Sequence, residues 1–107
     1  MQEKITFIEN LVSTVEIIPT ASIISRTIHQ DSHVKVSLFA FAPGQELSEH
    51  TASVPAMIQI LQGTCSLSVG EKKHMAGPGT WVFMPANTKH ALIAETHMHM
   101  LLIMMQE

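Results

Sequence analysis

Through much of this chain apolar and polar residues alternate with a period of two. Val34, Val36 and Leu38 alternate with Lys35 and Ser37, and Cys65, Leu67 and Val69 alternate with Ser66 and Ser68. A strand sends successive side chains to opposite faces, so this period predicts half-buried β-strands. Turn-forming residues interrupt the apolar runs at Pro43-Gly44, Gln62-Gly63, Gly70-Glu71, Gly77-Pro78-Gly79 and Pro85-Ala86-Asn87, leaving no room for long helices between them. The run from His97 to Met105 is almost continuously apolar on both faces, as expected of a strand covered by the core on one side and by a neighbour on the other. Near the start the period differs. Thr6-Phe-Ile-Glu9 has the spacing of a capping box, with Phe7, Ile8, Leu11 and Val12 on one helical side, which predicts one short helical turn. Regularly spaced short strands of this kind close into an antiparallel sandwich or barrel.

Composition narrows what such a fold can do. At 107 residues the chain is one domain, residues 1–107, with room for a core but not for a separate catalytic module. Hydrophobic residues make up 46% and charged residues 14%. This apolar balance predicts that some surface is covered by a second copy in a homodimer. The net charge is −3 and no basic cluster exceeds Lys72-Lys73, which argues against nucleic acid and anionic membranes as partners. No segment approaches the ~20 apolar residues of a membrane span. Cys65 is the one cysteine, so an internal disulfide is excluded, and its alternation with Leu67 and Val69 predicts a buried core position. A soluble protein of the cytoplasm is expected.

Candidate chemistry lies in two glycine-led stretches, each of which delivers one histidine. The first reads Gly44-Gln-Glu-Leu-Ser-Glu-His50 and closes at Gly63; the second reads Gly79-Thr-Trp-Val-Phe-Met-Pro85-Ala-Asn87-Thr-Lys-His90. Together they resemble the two motifs of the cupin superfamily, in particular its small single-domain members with a conserved barrel of the cupin 2 type. The resemblance covers roughly residues 25–105. Those motifs run Gly, five residues, His-x-His, three or four residues, Glu, six residues, Gly, and then Gly, five residues, Pro-x-Gly, two residues, His, three residues, Asn. Here Gly44, His50, Gly63, Gly79, Pro85 and His90 are kept. The resemblance implies an all-β fold, an antiparallel double-stranded β-helix or jelly-roll barrel, with about six to ten strands.

The departures bear on function. Ala52 stands at the second histidine position, Ala56 at the glutamate, Asn87 at the second-motif glycine and Ala94 at the final asparagine. Asparagine tolerates the left-handed backbone region, so Asn87 is a mild change. Ala52 and Ala56 are severe ones. In metal-bearing cupins the two histidines and the glutamate of the first motif join the second-motif histidine around one ion, and this chain keeps two of the four donors. A catalytic metal site ordinarily has three protein ligands. Glu49 directly precedes His50 and, on a strand, points to the opposite face. His97 and His99 share one face of the last strand; facing in, they would complete a four-histidine site, whereas facing out they leave the core to Met98 and Met100. His29, His33 and His74 fall in or beside polar turns and are read as solvated. The methionines in predicted strands, Met57, Met84, Met98, Met100, Met104 and Met105, fill apolar space or, where one meets the histidines, offer soft sulfur to copper(I).

Two functional readings result. In the first, the barrel binds a small organic molecule, oriented by His50 and His90, against apolar walls drawn from Phe39, Phe41, Met57, Trp81, Phe83 and Leu92. In the second, it is a metal-dependent enzyme of dioxygenase or isomerase type, with a divalent ion (Fe, Mn, Ni or Zn) on His50 and His90 completed by water or a further histidine. A histidine pair without metal also retains general acid and base chemistry and can hold an anion or a carbonyl group. A sensory role acting through a partner protein is a third reading, since small cupins resemble the ligand-binding halves of some transcription regulators.

Overall fold

A computed structural model describes residues 4–106. Its strands are β1 (Ile23–Gln30), β2 (Val34–Phe41), β3 (Glu46–His50), β4 (Ala56–Gln62), β5 (Cys65–Val69), β6 (Lys72–Ala76), β7 (Trp81–Met84), β8 (His90–Ala94) and β9 (Met98–Met105). All the described pairings are antiparallel. They build a five-stranded sheet of order β1-β2-β9-β4-β7 and a four-stranded sheet of order β3-β8-β5-β6. Every turn predicted from glycine and proline lies between strands, and the alternating runs around Val36 and Leu67 are β2 and β5. No helix among the described residues is long and apolar enough to cross a membrane.

The inward positions of both sheets meet in one core. Phe41, Ile58, Ile60, Met84, Met98 and Met100 from the first sheet pack with Cys65, Leu67, Leu92 and Ala94 from the second, each at most 2% exposed. Fully burying side chains of this size stabilises the fold by about 1.5–3 kcal/mol each before ordering entropy is subtracted. Cys65 is buried as expected, and that burial, with the charge of Glu95, pushes its thiol pKa up, so it packs as a small apolar side chain rather than as a thiolate.

The N-terminal segment lies across the outer face of the five-stranded sheet. Its helical turn is a single 3-10 turn at Val12–Val15, not at the predicted Thr6–Glu9 box. The Thr6 hydroxyl is engaged elsewhere, 2.9 Å from His29 Nδ1, while Asn10 Oδ1 accepts the Ser13 amide at 3.3 Å. Val15 from the turn packs with Leu38 and Ala40 as a second, smaller core, and the Val15 carbonyl accepts a 2.7 Å hydrogen bond from His99 Nε2. His99 therefore faces out of the barrel and serves to dock the turn. On β1 and its turn, His29 Nε2 donates at 2.7 Å to Asp31, whose other oxygen accepts the His33 and Val34 amides. Those bonds, the one from His29 foremost, lower the Asp31 carboxyl to about 2.

Gly63 shows how tightly the sheets close. Its φ is +84°, and a Cβ there would collide with the His97 carbonyl oxygen and lie 2.7 Å from Met98 Cα. Gly70 shares the positive φ, +61°, but a Cβ there meets nothing within 4 Å. Gly63→Ala is expected to cost about 3–4 kcal/mol, from backbone strain plus steric overlap, and Gly70→Ala about 1 kcal/mol from strain alone. Urea unfolding of the two variants measures the difference; equal losses would show that the His97–Met98 contact is without consequence.

Candidate functional site

His50 ends β3 and His90 begins β8, and the two are direct cross-strand partners. Directly opposed residues of an antiparallel pair carry their side chains on one face, so the two rings meet, with centroids 4.1 Å apart and planes inclined by 57°. The pairing depends on an irregularity. Leu47 pairs with Leu92 and His50 with His90, so three steps along β3 answer two along β8. The extra residue, at Ser48-Glu49, turns both Leu47 and His50 inward, which strict alternation would forbid. Glu49 is left exposed, as anticipated from its place beside His50.

Backbone carbonyls fix both rings. His50 Nδ1 lies 2.7 Å from the Ser48 carbonyl oxygen and His90 Nδ1 lies 3.0 Å from that of Thr88, in each case two residues back. A carbonyl can only accept, so each Nδ1 carries the hydrogen, and in the neutral ring each Nε2 keeps a bare lone pair. The loop before His90 is itself held. Asn87, at φ +68°, takes the left-handed conformation of the glycine it replaces, and its amide donates to the Ala52 carbonyl at 2.7 Å. Thr88 Oγ1 donates to the Pro85 carbonyl at 2.7 Å.

His90 is 7% exposed and His50 is open to solvent, so the pair spans the boundary between barrel and surface. Beneath it lies a cavity of about 20 Å³ lined by Leu47, His50, Ile58, Leu67, His90, Ala91, Leu92, Met100 and Leu102. That volume suits one water-sized group, whereas organic ligands occupy cavities of about 300–1,000 Å³.

Of the residues expected in the pocket, the structure brings His50, His90 and Leu92 together. It places Met57, Trp81 and Phe83 on the other side of their strands. On β4 and β7 the inward positions are Ala56, Ile58, Val82 and Met84, so Met57, Trp81 and Phe83, at the alternate positions, face outward, with Trp81 55% and Phe83 48% exposed. Phe41 is consumed by the core, with Phe39 stacked against it at 6.2 Å. Met100, Ile58, Leu47, Leu67 and Leu102 were missed as lining residues; Met100 carried a signal, since it alternates with the outward His99. His97 is exposed ahead of β9 and His99 lies under Val15, so neither reaches the pair. His74 is exposed on β6.

The divalent metal centre of the two-motif pattern does not fit this donor set. Ala52 and Ala56 bring methyl groups to the positions of two ligands, and among the described residues no three His, Cys, Asp or Glu side chains gather to hold an ion.

Comparison with known proteins agrees with the two motifs and the barrel. Residues 37–105 match the cupin domain. The chain belongs to the cupin family. This cupin is similar in structure to a cupin superfamily protein from Desulfitobacterium hafniense, with a TM-score of 0.85, 25% identity and complete coverage of both chains. It is also similar to a conserved protein of unknown function from Streptococcus pyogenes, with a TM-score of 0.84 and 27% identity over 98% of this chain and 91% of the other. A polyketide cyclase from Streptomyces resistomycificus shares the fold, with a TM-score of 0.71 and 17% identity over 79% of this cupin and 66% of the cyclase. No curated protein matches the sequence.

The geometry of the pair predicts that neutral His50 and His90 are both Nδ1–H tautomers. Long-range proton–nitrogen correlation spectra at pH 8.5 are expected to show an unprotonated Nε2 in each ring. An Nε2–H signature in either ring would overturn the carbonyl assignment.

Proposed function

We propose that this cupin binds a small molecule at the mouth of its barrel through the lone pairs of His50 and His90. The observation that carries the reading is the commitment of both Nδ1–H groups to backbone carbonyls, which leaves each neutral ring an Nε2 acceptor, one on the buried His90 and one on the exposed His50. Paired acceptors favour a ligand that presents hydrogen-bond donors, such as a hydroxyl or an amide N–H, over a carbonyl or an anion. The interior takes only a methyl- or hydroxyl-sized group, so the body of the ligand lies outside, over the exposed His50 face. The alternative, an enzyme built on a divalent ion at the same histidines, has the two alanines and the lack of a third donor against it.

Fragment binding followed by histidine nitrogen shifts at pH 8.5 tests this. Small alcohols and amides are expected to perturb Nε2 of both rings, and His50→Ala or His90→Ala to weaken binding roughly 5-fold each, the equivalent of one neutral hydrogen bond at ~1 kcal/mol. Preferential binding of carboxylates, or stoichiometric iron, manganese, nickel or zinc in untagged protein that both variants lose, would overturn it.

We further propose a homodimer that covers the β4–β7 side of the outer face of the five-stranded sheet, beyond the N-terminal segment. On the β4–β7 side of that face half-exposed Trp81 and Phe83 lie beside Met57 and Ile103, an apolar surface of the kind that marks interfaces. Light scattering is expected to give twice the chain mass of 11.8 kDa, falling to one chain in Trp81→Arg with Phe83→Arg. A wild-type monomer would overturn the dimer. A reducing cytoplasm suits the single buried Cys65.

A further inference from the structure

Thr6, His29 and Asp31 form a hydrogen-bonded chain beside β1, in the sheet that does not carry His50 and His90. Thr6 Oγ1 lies 2.9 Å from His29 Nδ1, and His29 Nε2 lies 2.7 Å from Asp31 Oδ2. The other carboxylate oxygen, Oδ1, accepts the His33 and Val34 amides at 2.7 and 3.0 Å. These bonds, the one from His29 first among them, hold the Asp31 carboxyl at about 2, so at neutral pH it is ionised and can only accept. His29 Nε2 therefore carries a hydrogen. In the neutral ring Nδ1 is then a bare lone pair, and the Thr6 hydroxyl donates to it.

We propose that Thr6, His29 and Asp31 form a nucleophilic site that hydrolyses small esters, with Thr6 as nucleophile, His29 as base and Asp31 as the residue that positions the imidazole. A hydroxyl within hydrogen-bond reach of a base, which a third group in turn orients, is the arrangement that activates an alcohol for acyl transfer. The chemistry runs in two halves. Thr6 Oγ1 attacks the ester carbonyl as its proton passes to His29 Nδ1; the tetrahedral intermediate then expels the alcohol, which takes that proton from His29 and leaves the acyl group on Thr6. Water repeats the sequence. It attacks the acyl carbon as one of its protons passes to His29, and collapse releases the carboxylic acid while His29 returns the proton to Thr6. One ester and one water give one acid and one alcohol, with no other reactant.

The surroundings leave room for a substrate. Two surface grooves meet at the chain, an apolar one of about 410 Å³ lined in part by Ile8, Leu11 and Val36, and a polar one of about 790 Å³ lined in part by Lys4, Gln30 and Ser32. Thr6 and His29 line both. Each volume lies in the range of about 300–1,000 Å³ that small organic ligands occupy, so an ester can straddle Thr6 with its apolar part in one groove and its polar part in the other. Lys4 brings a positive charge to the polar groove, of the sign that an oxyanion requires. An irregular register aims the base. Thr27 pairs with Ser37 and His29 with Val36, so two steps along β1 answer one along β2, and the neighbours Ile28 and His29 line the same groove, which strict alternation would forbid. The His29 and Asp31 side chains are 32% and 45% exposed, so reagents reach them. Docking of the N-terminal segment would call for the Thr6–His29 bond alone; the further link to Asp31 is what makes Nδ1 a base.

The test is stopped-flow hydrolysis of p-nitrophenyl acetate by untagged protein, with peptide mass spectrometry of acid-quenched samples to locate the acetyl group. A burst of p-nitrophenolate is expected, with acetyl ester on Thr6. His29→Ala is expected to slow acylation of Thr6 about 100-fold, the lower range for loss of a general base, and Thr6→Val to abolish the burst. The double variant is expected to lose no more than Thr6→Val alone, since the two groups act as a unit. Thr6→Ser, which keeps the hydroxyl, is expected to keep the burst. Asp31→Asn can still accept the His33 and Val34 amides through its oxygen while its NH2 group turns to His29 Nε2, which moves the ring hydrogen to Nδ1 and removes the base. Histidine nitrogen shifts at pH 8.5 are expected to show that exchange of tautomer, with acylation slowed about tenfold or more. Acetyl found only on lysines or the amino terminus, a burst that survives Thr6→Val, or an unchanged rate and tautomer in Asp31→Asn would overturn the site. Circular dichroism of each variant confirms the fold, so that a lost burst is not mistaken for unfolding.

Discussion

The interdigitation of the two sheets' inward side chains governs everything else in this molecule. Ile58, Ile60, Met98 and Met100 reach across from one sheet to Leu67, Leu92 and Ala94 on the other and leave only about 20 Å³ free beneath the histidines. A barrel packed to this degree has no lumen for a substrate. The histidine pair lies at the mouth, where β3 and β8 end their pairing. The same packing fixes the closure at Gly63, where the β4–β5 turn runs so near the start of β9 that a side chain has no place.

At the mouth, geometry is imposed by the backbone. The irregular register between Leu47 and His50 rotates His50 into line with His90, and two carbonyls, each two residues back, set both tautomers. What results is a pair of acceptors on an apolar floor, with no acidic side chain among the residues that line the cavity. Under the proposed reading such a pair accepts ligands that donate hydrogen bonds, while the alanines at positions 52 and 56 leave the four-donor divalent site without two of its ligands.

Much of the fold could be read from the chain because it follows from local preference. Glycine and proline mark the turns, period-two alternation marks β2 and β5, and Asn87 takes up the left-handed backbone its replacement of glycine implied. The helical turn was displaced from Thr6 to Val12–Val15 because a local cap competes with tertiary partners, and Thr6 found His29. The aromatic wall expected from Trp81 and Phe83 failed for a related reason. Their parity on β7 was legible, but which parity faces inward is set by pairing with β4, a strand some twenty residues away, and a one-residue difference exchanges the faces.

Sequence alone determined the family, the turn positions, the two histidines and the two missing ligands, since each is a matter of residue identity at fixed spacing and of the backbone angles those residues permit. Tertiary structure alone decided that His50 and His90 meet, which tautomers they hold, that Met100 lines the cavity beneath them, and that His99 turns away to dock the N-terminal turn. These depend on register between strands distant in the chain. Register is chosen by the global fit of apolar faces, which no local stretch of sequence contains.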